Sequence, residues 1–308
     1  MENNDIHEDF LVKLHSIIAD ERLLINEPMA HHTTFKIGGP VDYLVLPASV
    51  QEVADILHLA KQHAIAVIVL GNGSNMLVRD KGIRGLAIKF GSYMSYIKHV
   101  GTVVTAGAGA LLADVSRYAA KNNFSGLEFA IGIPGSIGGA VFMNAGAYDG
   151  EMSYVVEAVS GVCPDGNLRR FTRDELNFSY RHSVFQDNHC VICEVELSLQ
   201  EGLPQTIEQK INDYTNKRET KQPIEMPSAG STFKRPPGNF AGTLIEQAGL
   251  KGLKIGGAQV SAKHAGFVIN AGGATATDVL TLIEEVQHQV YRHSGVMLQP
   301  EIRILGEE

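Results

Sequence analysis

Three short stretches carry residue types suited to proton transfer and anion binding. Arg181 follows Tyr180 in SYRHSVF, and its planar guanidinium can clamp a carboxylate or phosphate through paired donors. Ser231 lies in AGSTFKRP, with Lys234 and Arg235 close behind. A serine hydroxyl is a weak acid, so it can protonate only a strongly basic centre held in a fixed place. Glu301 and Arg303 stand two apart in PEIRIL and share one face of a terminal strand. On residue type alone, a surface ion pair or, for Ser231, a turn with an N-cap serine remains open.

Glycine is the second chemical signal. The chain has 32, clustered in KIGGP (36–40), GNGSN (71–75), GAGA (107–110), GIPGSIGGA (132–140) and NAGAYDG (144–150), with SAGS (228–231) and NAGG (270–273) later. These clusters punctuate apolar runs, as tight turns and close backbone approach to a ligand require, and unlike a flexible linker. GNGSN directly follows the apolar run IAVIVL, so its amides can cradle a phosphate. It is no dinucleotide fingerprint, because Ser-Asn follows G-x-G and no helix opens there. With GIPGSIGGA as a second loop lined by backbone, a large phosphate-bearing cofactor is expected. Neither loop is followed by a P-loop lysine, which argues against a nucleoside triphosphatase.

Other classes are disfavoured. The 308 residues carry a formal charge of −8, opposite to the basic excess of a general nucleic-acid binder. The 12 histidines are scattered; the pair His31-His32 would point to opposite faces of an extended chain, and no metal site is expected. Neither Ser136 nor Ser231 sits in G-x-S-x-G. Cys163, Cys190 and Cys193 show no disulfide framework and fit a reducing compartment, Cys190 and Cys193 reading as strand cysteines. MENNDIHEDF has neither the basic nor the apolar region of a signal peptide, and no run approaches a membrane span.

The elements that must position these residues follow from apolar spacing. An N-terminal helix is expected on Ile6, Phe10, Leu11, Leu14, Ile17 and Ile18. A strand at 41–46 leads to a helix from Ser49 to about His63, with Val50, Val53, Ala54 and Leu57 on one face and Glu52 closing a capping box onto Ser49. Strands at 65–70 and 86–90 complete a βαβ-like unit. Then come a strand at 102–106, a helix at 111–121 on Leu111, Leu112, Val115 and Ala119, and strands near 154–162 and 190–199. A polar-faced helix ends before Pro223. Helix 241–249, strand 266–270, a helix near 277–292 and strand 301–305 follow.

The motifs together resemble one family. HTTFKIGGP (32–40), VLGNGSN (69–75), GIPGSIGGAVFMNAGAYDGE (132–151), YRHSVF (180–185), PSAGSTFKRP (227–236), GLKGLKIGGAQVSAKHAGFVIN (249–270) and PEIRILG (300–306) are similar, in order, to the blocks of the UDP-N-acetylenolpyruvoylglucosamine reductases. The compact stretch 185–227 resembles the shorter, type II form. The resemblance implies an α+β fold: two FAD-binding subdomains of the vanillyl-alcohol-oxidase and p-cresol-methylhydroxylase kind, plus a C-terminal α+β substrate domain. The implied domains are 1–95 joined by strand 301–308, 96–204 and 205–300.

The same resemblance implies a cytoplasmic monomer of peptidoglycan synthesis, hence of cell-wall biogenesis, cell shape and division, with no nucleic-acid or membrane partner. NADPH would reduce FAD, and hydride would then pass from the flavin N5 to the β-carbon of UDP-N-acetylglucosamine-enolpyruvate, giving UDP-N-acetylmuramate. Arg181 matches the arginine that stabilises charge on the substrate carboxylate, Ser231 the serine that protonates the α-carbon, and Glu301 the glutamate assisting the intermediate. FAD would lie on Gly71, Asn72, Gly73, Ser74 and Asn75, on Gly132, Ile133, Pro134, Gly135, Ser136, Gly138 and Gly139, and on Gly146. Tyr180, Arg218, Lys234, His264 and Arg303 would contact substrate, while Gln222 and Gly266 depart from what some members carry there. A flavin oxidase of the same superfamily and an inactive sugar-nucleotide-binding protein are the rival readings.

Overall fold

A computed structural model describes residues 2–308 of the chain, with side chains from residue 8 onward. In chain order the first elements are α1 (Glu2–Ile17), β1 (Leu23–Pro28), β2 (Pro40–Val45), α2 (Val50–Gln62), β3 (Val67–Leu70), β4 (Met76–Val78) and β5 (Ile83–Lys89). Next are β6 (Ile97–Val100), β7 (Val103–Gly107), α3 (Leu112–Lys121), β8 (Phe124–Ser125), α4 (Ile137–Phe142), β9 (Gly146–Ala147), β10 (Gly150–Glu151), β11 (Val156–Val162), β12 (Leu168–Thr172), α5 (Phe185–Asn188), β13 (Val191–Ser198) and β14 (Gln200–Glu201). The last are α6 (Pro204–Lys221), α7 (Ala241–Gln247), β15 (Lys254–Ile255), β16 (Ala258–Val260), β17 (Val268–Asn270), α8 (Ala276–Ser294) and β18 (Arg303–Leu305).

The chain forms two compact units, the first of residues 1–25, 43–72 and 85–216, the second of residues 26–42, 73–84 and 217–308. In the first unit β3 and β5 run parallel, Val67 opposite Leu86. An antiparallel sheet in the order β12-β11-β13-β7-β6 forms its larger layer. Phe10, Leu14 and Ile18 of the N-terminal segment are buried in this unit's core with Val104, Val115, Val159 and Phe171. Ile6 lies outside the described side chains. In α2 the buried face is Val53, Ile56, Leu59 and Ala60, rotated from the expected one. Ser49 Oγ does accept from Glu52 N–H at 3.1 Å, but the Glu52 carboxylate turns to Arg22 and to Ala48 N–H, so the expected capping box does not form. Leu111, expected on the buried face of α3, precedes the helix and is exposed.

Cysteine pairing also differs from expectation: Cys163 and Cys190 form a disulfide, and Cys193 is buried, its thiol pushed up to about 12 by that burial. The ladder explains the pairing, since Val162 lies opposite Val191 and places the next residues, 163 and 190, face to face. That register could not be read from a separation of 27 residues.

The second unit has its own core of Ala258, Val260, Val268, Leu298 and the stripe Val279, Leu282, Ile283, Val286 and Val290 of α8, the face expected from spacing. Thr275 and Asp278 close a capping box on α8, and Asp80 accepts from Ala276 N–H and Thr277 N–H at 2.8 and 2.9 Å. β18 pairs in parallel with β4, Arg303 opposite Met76. Among the described residues no helix is long and apolar enough to cross a membrane.

Candidate active site

In the first unit the end of β3 delivers Gly71 and Asn72, and the turn before α4 delivers residues 132–136. The two loops touch. A Cβ on Gly71 would lie 1.9 Å from Ser136 Oγ, so only glycine allows this approach. The Asn72 amide donates to Pro134 O. Ile137 N–H and Gly138 N–H donate to Ala110 O and Ala108 O at 2.8 and 3.0 Å, and Leu112 N–H donates to Gly135 O at 2.9 Å. The loops 107–110 and 132–140 are thus stitched backbone to backbone, and the Asn72 side chain joins the loop at 71 to them. Gly138 and Gly146 serve packing: a Cβ would lie 2.9 Å from Ala108 Cβ in one case and 2.8 Å from Gly150 O in the other. The N–H groups of Gly135 and Ser136 have no acceptor among the described residues. Such adjacent donors fit a phosphate or a ring carbonyl.

Tyr180 and Arg181 form the tip of a two-residue turn. Ser179 and His182 exchange N–H···O bonds of 3.1 Å on either side of it. Arg181 has a φ of 57°, in the left-handed region that side chains rarely occupy. Its guanidinium lies 5.0 Å from the Tyr180 ring centroid and donates to Gly146 O at 3.4 Å. Asn144, fully buried, donates to Ser179 O at 3.0 Å. The Arg181 guanidinium therefore meets the glycine-rich stretch 132–150.

In the second unit one buried threonine joins the other two candidates. Thr232 N–H donates to Gly266 O at 2.9 Å, Thr232 O accepts from Glu301 N–H at 2.8 Å, and Thr232 Oγ1 accepts from Val268 N–H at 2.9 Å. Ser231, next to Thr232, and Glu301 are thereby held on adjoining backbone, with Ser231 exposed. Ser231 caps no helix, because α7 begins only at Ala241, so the N-cap alternative falls. Lys234 N–H donates to Gln299 O at 2.8 Å, extending the same pairing. Asn75 accepts from Arg303 N–H at 3.0 Å and donates to Glu301 O at 3.4 Å. Gly73, at a φ of 63°, would meet His32 O at 2.1 Å with any Cβ, and its carbonyl accepts from Thr34 N–H. Thr34 Oγ1 donates to Ser228 O at 2.7 Å. HTTF, GNGSN, AGST and PEIR are thus tied into one cluster.

His264 Nδ1 accepts from Gly266 N–H at 3.1 Å, and burial pulls its pKa below the ordinary imidazole range. The neutral ring then carries its proton on Nε2, a donor suited to a substrate oxygen. Arg218 lies in the last turn of α6. Asn144, Thr232 and Thr34 support the candidate residues and were not singled out by the sequence reading, although each lies in one of its motifs, NAGAYDG, AGSTFKRP and HTTFKIGGP. The premise about His31 and His32 is also corrected. They lie on a 3₁₀ turn, and both rings reach Glu27 Oε1, at 3.0 and 2.9 Å.

Comparison with known proteins follows the same division. Residues 222–305 match the family described as UDP-N-acetylenolpyruvoylglucosamine reductase, C-terminal domain, and residues 41–172 match the FAD binding domain. The UDP-N-acetylenolpyruvoylglucosamine reductase of Syntrophomonas wolfei is 49% identical over 296 residues, 96% of this chain and 99% of its own length. The chain belongs to the UDP-N-acetylenolpyruvoylglucosamine reductase family. Another relative of that name, from Clostridium botulinum, is 49% identical over 98% of both chains. The crystal structure of UDP-N-acetylenolpyruvylglucosamine reductase from Thermus caldophilus superposes with a TM-score of 0.80 at 34% identity, covering 92% of this chain and 98% of the other. A 4-ethylphenol oxidase of Gulosibacter chungangensis, 14% identical, covers 64% of this chain and 43% of its own with a TM-score of 0.51, which shows a shared fold. The reductase fold is therefore α+β, with the FAD-binding architecture of the vanillyl-alcohol-oxidase and p-cresol-methylhydroxylase kind. Tyr180, Arg181 and Arg218 lie outside both matched spans of this family member.

Proposed function

We propose that the chain uses NADPH and FAD to reduce UDP-N-acetylglucosamine-enolpyruvate to UDP-N-acetylmuramate for peptidoglycan. The observation that carries this reading is the staple at Thr232, which holds a hydroxyl and a carboxyl from distant sequence, Ser231 and Glu301, on adjoining backbone. An oxidase would have no carbanion to protonate, so it has no use for that pairing.

FAD, when bound, supplies the hydride for the β-carbon of the enol ether. Gly71 and Asn72, with the amides of Gly135 and Ser136, would hold it in the first unit; Gly73, Ser74 and Asn75 are assigned to it in the second. The Arg181 guanidinium would bind the substrate carboxylate in a forked grip and stabilise the charge that grows there. The Ser231 hydroxyl would give its proton to the α-carbon. Glu301 would hydrogen-bond the same intermediate and resupply the proton. Lys234, Arg218 and Arg303 would meet the diphosphate, and the Nε2–H of His264 a substrate oxygen. We assign residues 1–95 with 301–308 and residues 96–204 to FAD, and 205–300 to the sugar nucleotide. A cytoplasmic site and a monomeric state accord with a small-molecule reaction of this kind.

The test is a separation of half-reactions. The holoprotein should be reduced by NADPH and then reoxidised, without oxygen, by the enolpyruvyl sugar nucleotide. Reoxidation by oxygen and a simple alcohol oxidation, with none by the sugar nucleotide, would favour the oxidase.

A further inference from the structure

Arg181 is an unusual choice for its own backbone. At the second position of the turn its φ of 57° suits glycine or asparagine better than arginine. The turn must therefore be held by its surroundings, and the side chain must be wanted for what it reaches.

What holds the turn is on the neighbouring short helix. Gln186 lies in α5, one residue after Phe185, which is buried against Phe171 with ring centroids 5.1 Å apart. The Gln186 side-chain amide donates to Arg181 O at 3.0 Å and to Phe142 O at 2.9 Å. Phe142 is the last residue of α4 and also accepts from Ser183 Oγ at 2.8 Å. The other end of α4 begins at Ser136, in the loop that touches Gly71. One amide thus ties the carbonyl of the strained residue to the far end of the helix that starts in the glycine loops.

We propose that Gln186 is a positioning residue for Arg181, its two amide hydrogens fixing the left-handed turn to α4 and so the point from which the guanidinium reaches an anionic substrate group. The assignment rests on the Arg181 role given above. Gln186 itself touches no reacting atom. Its effect is carried entirely by the placement of Arg181, and displacing a clamp by about 1 Å can cost up to about 100-fold in rate.

A double-mutant cycle on the holoenzyme tests this. Gln186→Met keeps the length of the side chain and removes both donors. It should leave NADPH reduction of the flavin unchanged and slow anaerobic reoxidation by the enolpyruvyl sugar nucleotide about 10- to 100-fold. Gln186→Lys, which keeps a donor, should recover much of that rate. Added to Arg181→Ala, Gln186→Met should slow reoxidation no further. Wild-type reoxidation in Gln186→Met, or full additivity with Arg181→Ala, would overturn the proposal while leaving the Arg181 role intact. Normal reoxidation in Arg181→Ala alone would overturn that role, and Gln186 with it. If Gln186→Met does not fold, the lysine variant decides: equality with a third variant, Gln186→Leu, would refute the need for a donor.

Discussion

A hydroxyl gives up a proton only where a strong base meets it in a fixed pose, so the chemistry assigned to Ser231 depends on the rigidity of its loop. Thr232 supplies that rigidity through three bonds, two of them from backbone N–H groups of other segments. Ser231→Ala should keep NADPH reduction of the flavin and lose about 10²- to 10⁴-fold in the oxidative half-reaction, followed by stopped-flow absorbance. Equal losses in both half-reactions would remove Ser231 from proton transfer. Arg181→Lys replaces a fork with a point charge and should slow the same half-reaction about 10²-fold, with near-normal turnover as the contrary result. The sequence reading singles out Ser231 and Arg181 because each sits in a motif with its neighbours. Asn144, Thr232 and Gln186 were not singled out, because their partners Ser179, Val268 and Phe142 lie 35, 36 and 44 residues away, and a polar side chain reveals its backbone partner only once the chain is folded.

Among the elements, α2 shows what periodicity can and cannot fix. Its span was readable from apolar spacing and from Ser49, but Glu52 was not free to close the capping box. Arg22 bonds both Glu52 oxygens and Ala48 N–H adds a third bond at 2.7 Å. Hydrogen bonding from Arg22 outweighs the opposing effect of burial and holds the Glu52 carboxyl below its ordinary range. A depressed folded-state pKa stabilises the fold above the unfolded value, about 4.3, and that stabilisation disappears as pH falls through the lower folded value. Glu52→Gln should therefore cost about 1–3 kcal/mol near pH 7 in denaturant melts. The gap from wild type should close in acid; a gap that stayed constant down to pH 2 would contradict the linkage. The stripe on α8 was read correctly because a long helix repeats its signal over many turns. The short helix α4 was hidden inside GIPGSIGGA, where glycine masks helical propensity and Ser136 alone marks the start, its Oγ accepting from Gly139 N–H at 3.3 Å.

At the scale of the molecule, the chain passes repeatedly between two units before the second is completed by residues 217–308. Length and composition predicted a globular protein of about two domains and argued against a basic nucleic-acid binder, but nothing in them says that residues 26–42 and 73–84 belong with the C-terminal segment. That assignment rests on long-range bonds such as Thr34 to Ser228 and Arg303 to Asn75. The folded protein should be yellow as purified, and removal of FAD should lower its melting temperature, because a ligand bound only to the native state stabilises it by mass action. A colourless, fully folded protein that takes up no FAD would refute the cofactor assignment.

The most direct measurement is anaerobic stopped-flow on the holoprotein. The absorbance of oxidised flavin should bleach with NADPH and return when UDP-N-acetylglucosamine-enolpyruvate is added, with UDP-N-acetylmuramate formed in equal amount. A flavin that stays reduced in the presence of that sugar nucleotide would contradict the assigned reaction.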